Sequence, residues 1–163
     1  MIFFCFVYVI PVYAYTLKGG VSYTVEEARA KAFSNVPLKI DMNEYKNYFK
    51  DPDYEENKKA ISDGKKYLKG RQLMFFSVGG YSVVYYNNLT TAFYYDDFGN
   101  LELIEFHYPE KDIAYTVSGN LDRISLLVKK SECFMFDLNK KLVGHWVGKN
   151  CYNEKGELIM TRE

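Results

Sequence analysis

Apolar positions along this chain keep two periods, and the change falls near Arg71. Before it the spacing is helical. Val25, Ala28 and Ala32 share one face of a predicted helix that begins after Thr24. Thr24 and Glu27 form a capping box, in which each side chain satisfies a backbone N–H that the helix leaves open. Pro37 ends this element. A second, weaker helix is predicted over Asn43 to Lys50, with Tyr45, Tyr48 and Phe49 as its stripe. Asp51-Pro52-Asp53 stops it and offers Asp as a cap for a third, Tyr54 to Ser62. That helix has only Tyr54, Ala60 and Ile61 as apolar contacts and ends at Asp63-Gly64. The Lys58-Lys59 and Lys65-Lys66 pairs read as a solvated face and loop.

After Arg71 the period is two. Leu73 to Phe76 and Tyr81 to Tyr86 flank Ser77-Val78-Gly79-Gly80, and a glycine pair permits the positive φ of a tight hairpin. Asn87-Asn88 marks the next turn, and Thr91 to Tyr95 the next strand. Asn88-Leu89-Thr90 matches a glycosylation sequon and reads as part of that turn.

One phrase is then written four times: an aromatic, five turn residues and a leucine. It runs from Tyr95 to Leu101, Tyr115 to Leu121, Phe136 to Leu142 and Tyr152 to Leu158. The aromatics are 20, 21 and 16 residues apart. Gly99, Gly119 and Gly156 hold one turn position, where a left-handed backbone costs least for glycine. Lys140 stands there in the third unit, so that turn is expected to be strained or differently built. Ile104, Phe106 and Tyr108 alternate on one outgoing strand, and Ile124, Leu126 and Val128 on the next. The expected fold is α+β: a helical region, 15–70, followed by an antiparallel β-meander of hairpin repeats of about 20 residues, 71–163, in one globular domain.

The run Tyr95-Asp96-Asp97-Phe98-Gly99-Asn100-Leu101 resembles the Tyr-Asp repeats of large bacterial wall and toxin-shell proteins, and the related MORN-type hairpins. The resemblance covers Phe93 to Met160. It implies a β-meander in an exported or surface protein, with structural rather than catalytic repeat residues.

The first 17 residues carry no charged side chain. Ile2 to Ile10 is apolar, Pro11 breaks the run, and Val12-Tyr13-Ala14 supplies the small residue a signal peptidase needs. Residues 1–14 are therefore read as a signal peptide cleaved after Ala14, although no Lys or Arg precedes the run. The alternative is an uncleaved anchor, for which the run is short against the ~20 apolar residues of a membrane span. Twenty-one basic residues balance 21 acidic ones, so no basic surplus points to nucleic acid. Cys133 and Cys151 remain after cleavage. Continuous meander order puts one strand between them, about 10 Å, beyond the roughly 7 Å a disulfide tolerates. No bridge between them is expected.

Candidate chemistry is sparse, and no catalytic residue, metal set or cofactor is assigned. His107 and His145 are the only histidines, and no carboxylate spacing makes them a ligand signature. Asp96-Asp97 with Asn100 reads as a turn rather than a calcium loop, and Asp51 to Glu55 as helix capping. The third repeat departs most from its sisters. Lys140 replaces Gly, His145 stands where Ile104 and Ile124 stand, and Trp146, the sole tryptophan, faces away from His145. Trp146, His145 and Tyr152 are the candidate ligand-binding residues.

Two function classes follow. One is an exported, non-enzymatic binding or structural module of the bacterial cell envelope, located in the periplasm, on the surface or secreted. Its partner would be a protein or an envelope polymer, and it should show an exposed aromatic patch around Trp146. The other is a small envelope hydrolase using His107 or His145 in a helix–sheet groove, which needs a carboxylate or Cys133 beside one of them. An uncleaved N-terminus would point instead to a cytoplasmic repeat protein resembling the repeat antitoxins.

Overall fold

The computed structural model describes residues 23–129 and 131–161. The leader read over 1–14 lies outside them. Helix α1, Val25–Phe33, begins with the expected capping box: Thr24 donates its N–H to Glu27 Oε2 (2.8 Å), and Glu27 donates its N–H to Thr24 Oγ1 (3.2 Å). Ala28 and Ala32 are fully buried, while the partly buried Val25 packs on the same core. The second helix is 3₁₀, Asn43–Tyr48, not α. Its chain is captured before an α-helix can extend: Leu101 donates to the Phe49 carbonyl (2.9 Å) and Asp51 to that of Gly99 (2.8 Å). Helix α2 spans Tyr54–Ser62, as predicted. Asp53 makes no capping bond there. Its carboxylate instead accepts from the Tyr85 hydroxyl at 3.1 Å and faces Arg71.

Eleven strands follow among the described residues: β1 Tyr67–Leu68, β2 Arg71–Phe75, β3 Tyr81–Tyr85, β4 Thr91–Tyr95, β5 Leu101–His107, β6 Lys111–Thr116, β7 Leu121–Lys129, β8 Glu132–Asp137, β9 Leu142–Val147, β10 Asn150–Tyr152 and β11 Leu158–Thr161. Each pairs antiparallel with its neighbours in sequence, which makes the sheet a continuous meander. This is the expected α+β arrangement.

The four repeats share one turn. In the first, Asp96 N–H donates to the Asn100 carbonyl (2.9 Å) and Gly99 N–H to that of Asp96 (3.0 Å). The Asp96 carboxylate accepts from the N–H groups of Phe98 and Asn100. Asp137 and Asn153 do the same in the third and fourth units. Lys140 adopts the left-handed backbone of its glycine sisters, with φ 63°. The third turn is therefore built like the others and carries the strain of a side chain there. Phe75 to Tyr81 closes with the same pair of backbone bonds, Phe76 to Gly80 and Gly79 to Phe76. This is a fifth turn of the series, one that lacks the leucine and the Asx residue.

A register slip follows each of the four repeats. Tyr95 faces Leu101 while Tyr94 faces Leu103, which leaves Glu102 as an extra residue; Asp122, Val143 and Ile159 occupy the same place later. This bulge puts Leu101 and Ile104 on one face although they are three apart. Leu121 with Ile124 repeats the arrangement, and all four residues enter the core under the helices.

The N-terminal region is fastened to the turns at one repeated atom. The carbonyl of the left-handed residue accepts from Asp51 N–H in the first unit (2.8 Å), Ile40 N–H in the second (2.9 Å) and Arg29 Nε–H in the third (2.8 Å). Cys133 and Cys151 both stand opposite Trp146, on the two flanks of β9, and no disulfide joins them.

Candidate functional site

The helix-facing side of β5 and β6 forms one wall of a groove of about 950 Å³. The segment from α1 to the 3₁₀ helix forms the other. Tyr45 packs on Phe106 with ring centroids 5.7 Å apart, and Phe106 packs edge-on to Tyr115 at 6.0 Å. The Tyr115 hydroxyl donates to the Pro37 carbonyl (3.0 Å), and burial pushes its pKa up to about 12. Tyr108 stands at the mouth, 48% exposed. Asp41, Glu44 and Glu110 supply a carboxylate rim. Lys111 fixes the floor, donating to the carbonyls of Lys31, Ala32 and Ser34 at 3.1 Å each. These are carbonyls of the last turn of α1 and its exit, so one ammonium closes a helix end and holds the groove's shape. Burial keeps the Lys111 pKa below the ordinary lysine value.

Both histidines meet a carboxylate. His145 lies on the helix-facing side, in stacked contact with Phe134 at 3.9 Å, and a 2.9 Å hydrogen bond joins its Nε2 to Glu132 Oε1. His107 lies on the opposite side of the sheet, where its Nδ1 is 2.9 Å from Asp112 Oδ1. Burial disfavours the charged imidazole of His107. The bond and charge of Asp112, with the charge of Glu105, outweigh this and hold the pKa above its usual value. Neither histidine lines this groove, nor a second hollow of about 610 Å³ beside Met42 and Lys46.

The three predicted ligand-binding residues do not form one site. His145 and Tyr152 face each other across β9 and β10 on one side of the sheet. Trp146 points to the other, as alternation requires. It is 3% exposed and packs with Cys133, Met135 and Cys151 in a small second core. The exposed aromatic patch expected around it is not there, because β8 and β10 bring buried apolar side chains to both its flanks. Tyr67, Tyr86, Phe98 and Tyr108 are the exposed aromatics among the described residues, and of these Tyr108 borders the groove.

Sequence reasoning did not find Glu105, Asp112 or Glu132. The signal for two of them was present. A tight connection across 108–111 sets His107 opposite Asp112, and Glu105 is two residues from His107, hence on the same face.

A second buried polar group fastens α2 to the sheet. Asp51 Oδ2 accepts from the Tyr81 hydroxyl (2.5 Å) and from Asn57 Nδ2 (2.9 Å), while Asn57 Oδ1 accepts from Arg71 Nε (2.7 Å). Burial first, and then the bond to Asp51, raise the Tyr81 pKa far above its ordinary value. These contacts are structural ties rather than reactive pairs. No protein-family model, curated protein or solved structure matched this chain when compared with it. Among the described residues no helix is long and apolar enough to cross a membrane.

Proposed function

We propose that this protein is a non-enzymatic binding module of the bacterial cell envelope, which holds an extended partner in the groove between its helical segment and β5–β6. The observation that carries the reading is the groove itself: fixed aromatic walls, an exposed Tyr108 at its mouth and a rim of carboxylates. Aromatic faces with flanking polar groups suit a polymer strand that offers apolar faces and hydrogen-bonding edges in turn. Export is supported by the apolar, uncharged leader and by the resemblance of the hairpins to Tyr-Asp and MORN-type repeats. The test is to isolate the native protein, sequence its N-terminus and sediment it with purified envelope. A chain that begins at Tyr15 and co-sediments through Tyr108 supports the reading. An unprocessed chain that stays in the soluble fraction counts against it.

The hydrolase reading keeps one favourable observation, the two histidine–carboxylate pairs at 2.9 Å. Both lie outside the groove, so no substrate bound there would reach them. Turnover of ester, amide or phosphoester probes that is lost in His145→Gln or His107→Gln would restore it.

A further inference from the structure

The face of the β5–β6 hairpin turned away from the groove carries a separate group of side chains. Glu105 and His107 project from β5, and Asp112 from β6 directly opposite His107. One ligand atom from each lies within 4.8 Å of the others. Oxygen and nitrogen ligands on one small divalent ion sit roughly 3–4 Å apart, at metal–ligand lengths near 2.1 Å. Small rotamer changes therefore bring all three onto one ion. Glu105 stands between Ala92 and Ala114 on its neighbouring strands, whose small side chains leave room for more distant groups to reach its carboxylate.

The surroundings are built for charge. Arg123 Nη2 is 3.1 Å from Glu105 Oε2 and Nη1 is 3.5 Å from Asp122, while the Tyr94 hydroxyl donates to Glu105 Oε1 at 2.9 Å. These contacts orient the Glu105 carboxylate from outside, as second partners do around a ligand. Glu105, Asp112 and Asp122 bring three carboxylates to two cationic partners, the Arg123 guanidinium and the His107 imidazole, which leaves an excess of negative charge. A low-dielectric site holds such an excess of negative charge poorly unless a cation joins it. Glu105 and His107 are buried, whereas the Asp112 side chain keeps 19% exposure and leaves an entry path from solvent.

We propose that Glu105, His107 and Asp112 bind one divalent first-row transition cation. An imidazole with two carboxylates selects this class over calcium or magnesium, which prefer oxygen alone. The ion takes the place of the His107–Asp112 hydrogen bond and balances the carboxylate excess. The site is on the other face from the groove and stands whether or not the groove binds a partner.

Manganese(II) on the full chain is the test, because this ion avoids the thiols of Cys133 and Cys151. With only two histidines, the ring resonances are distinct in the metal-stripped protein. Substoichiometric Mn²⁺ should broaden those of His107 and spare His145, and calorimetry should give one equivalent. Glu105→Gln should weaken uptake about tenfold or more, as loss of a charged ligand or its orienting partner does. Glu132→Gln, in the other histidine pair, should leave it unchanged. Equal broadening of both histidines, no saturable uptake, or uptake indifferent to Glu105→Gln overturns the proposal. Should Glu105→Gln not fold, the histidine resonances of the unaltered chain decide alone. Cobalt(II) gives a second readout: thiolate charge-transfer absorption would place the ion on cysteine and also overturn it.

Discussion

Arg29 donates its Nε–H to the backbone carbonyl of Lys140 at 2.8 Å. The same guanidinium pairs with Glu26 and Glu154 and lies over the Phe136 ring, 5.7 Å from its centroid. One side chain of α1 therefore does for the third repeat what backbone N–H groups do for the first two. Replacing it with alanine should cost about 1–2 kcal/mol, the range for a charged hydrogen bond and its packing. Lysine should not restore the loss, since it lacks the planar fork that serves the carbonyl and the carboxylates together. Urea unfolding of Arg29→Ala and Arg29→Lys checks both expectations.

Glycine matters at the docked turns for more than backbone freedom. A Cβ at Gly119 would lie 2.3 Å from the Ile40 carbonyl oxygen, whereas one at Gly156 meets nothing within 4 Å. Both residues have positive φ. Gly156→Ala should cost about 1 kcal/mol, from left-handed strain alone. Gly119→Ala adds a clash with backbone that cannot move aside, and should cost clearly more. In the opposite sense, Lys140→Gly should stabilise by about 0.5 kcal/mol, relief of strain being partly offset by loss of the Lys140 contact with Phe33. Thermal and urea midpoints of the three variants give the order.

Two buried tyrosines should respond differently to loss of their hydroxyls. The Tyr95 hydroxyl is buried with no hydrogen-bond partner among the described residues, while that of Tyr81 donates to Asp51. Tyr95→Phe should be neutral or stabilising, because it removes a desolvated polar atom. Tyr81→Phe should cost about 1–2 kcal/mol, because the buried Asp51 carboxylate loses a donor. Equal losses in the two variants would show that the Asp51 network does not fasten α2 as described.

Acid should loosen the first repeat through Asp96. Burial alone would raise the pKa of this carboxyl. Bonds from Asn100 and Phe98 outweigh it and hold the pKa below the usual aspartate value. Its folded pKa is thus lower than its unfolded one. The stabilisation is present above pH about 4 and is lost as pH falls through the folded value. Asn153 fills the same place in the fourth unit without a charge. Asp96→Asn should therefore keep the turn and flatten the fall of the melting temperature below about pH 4.

The hairpin order was legible in the sequence because aromatic, turn and leucine recur with glycine at one position. The order alone correctly kept Cys133 from Cys151. The bulges were not legible, since strict alternation sets Leu101 and Ile104 on opposite faces and only an unpaired Glu102 brings them together. The glycine pair gave away the hairpin at 77–80, but not that it is a fifth turn of the series, because Tyr81 stands where the others have leucine. The groove was out of reach as well. Its walls come from 3₁₀ and loop segments near residue 40 and from strands about 70 residues later, joined through turn carbonyls that no side-chain pattern marks. Trp146 misled for a plain reason: periodicity gives the face a residue takes, not whether that face is covered.

The most direct measurement on the central claim is site-specific photocrosslinking in the native cell envelope, with a photoreactive phenylalanine at position 108. The same group at Phe98, an exposed turn tip away from the groove, is the control. The processed chain should crosslink from position 108 to one envelope component, and not from position 98. Crosslinks of equal strength from both positions, or an unprocessed chain that crosslinks only in the cytoplasm, would contradict it.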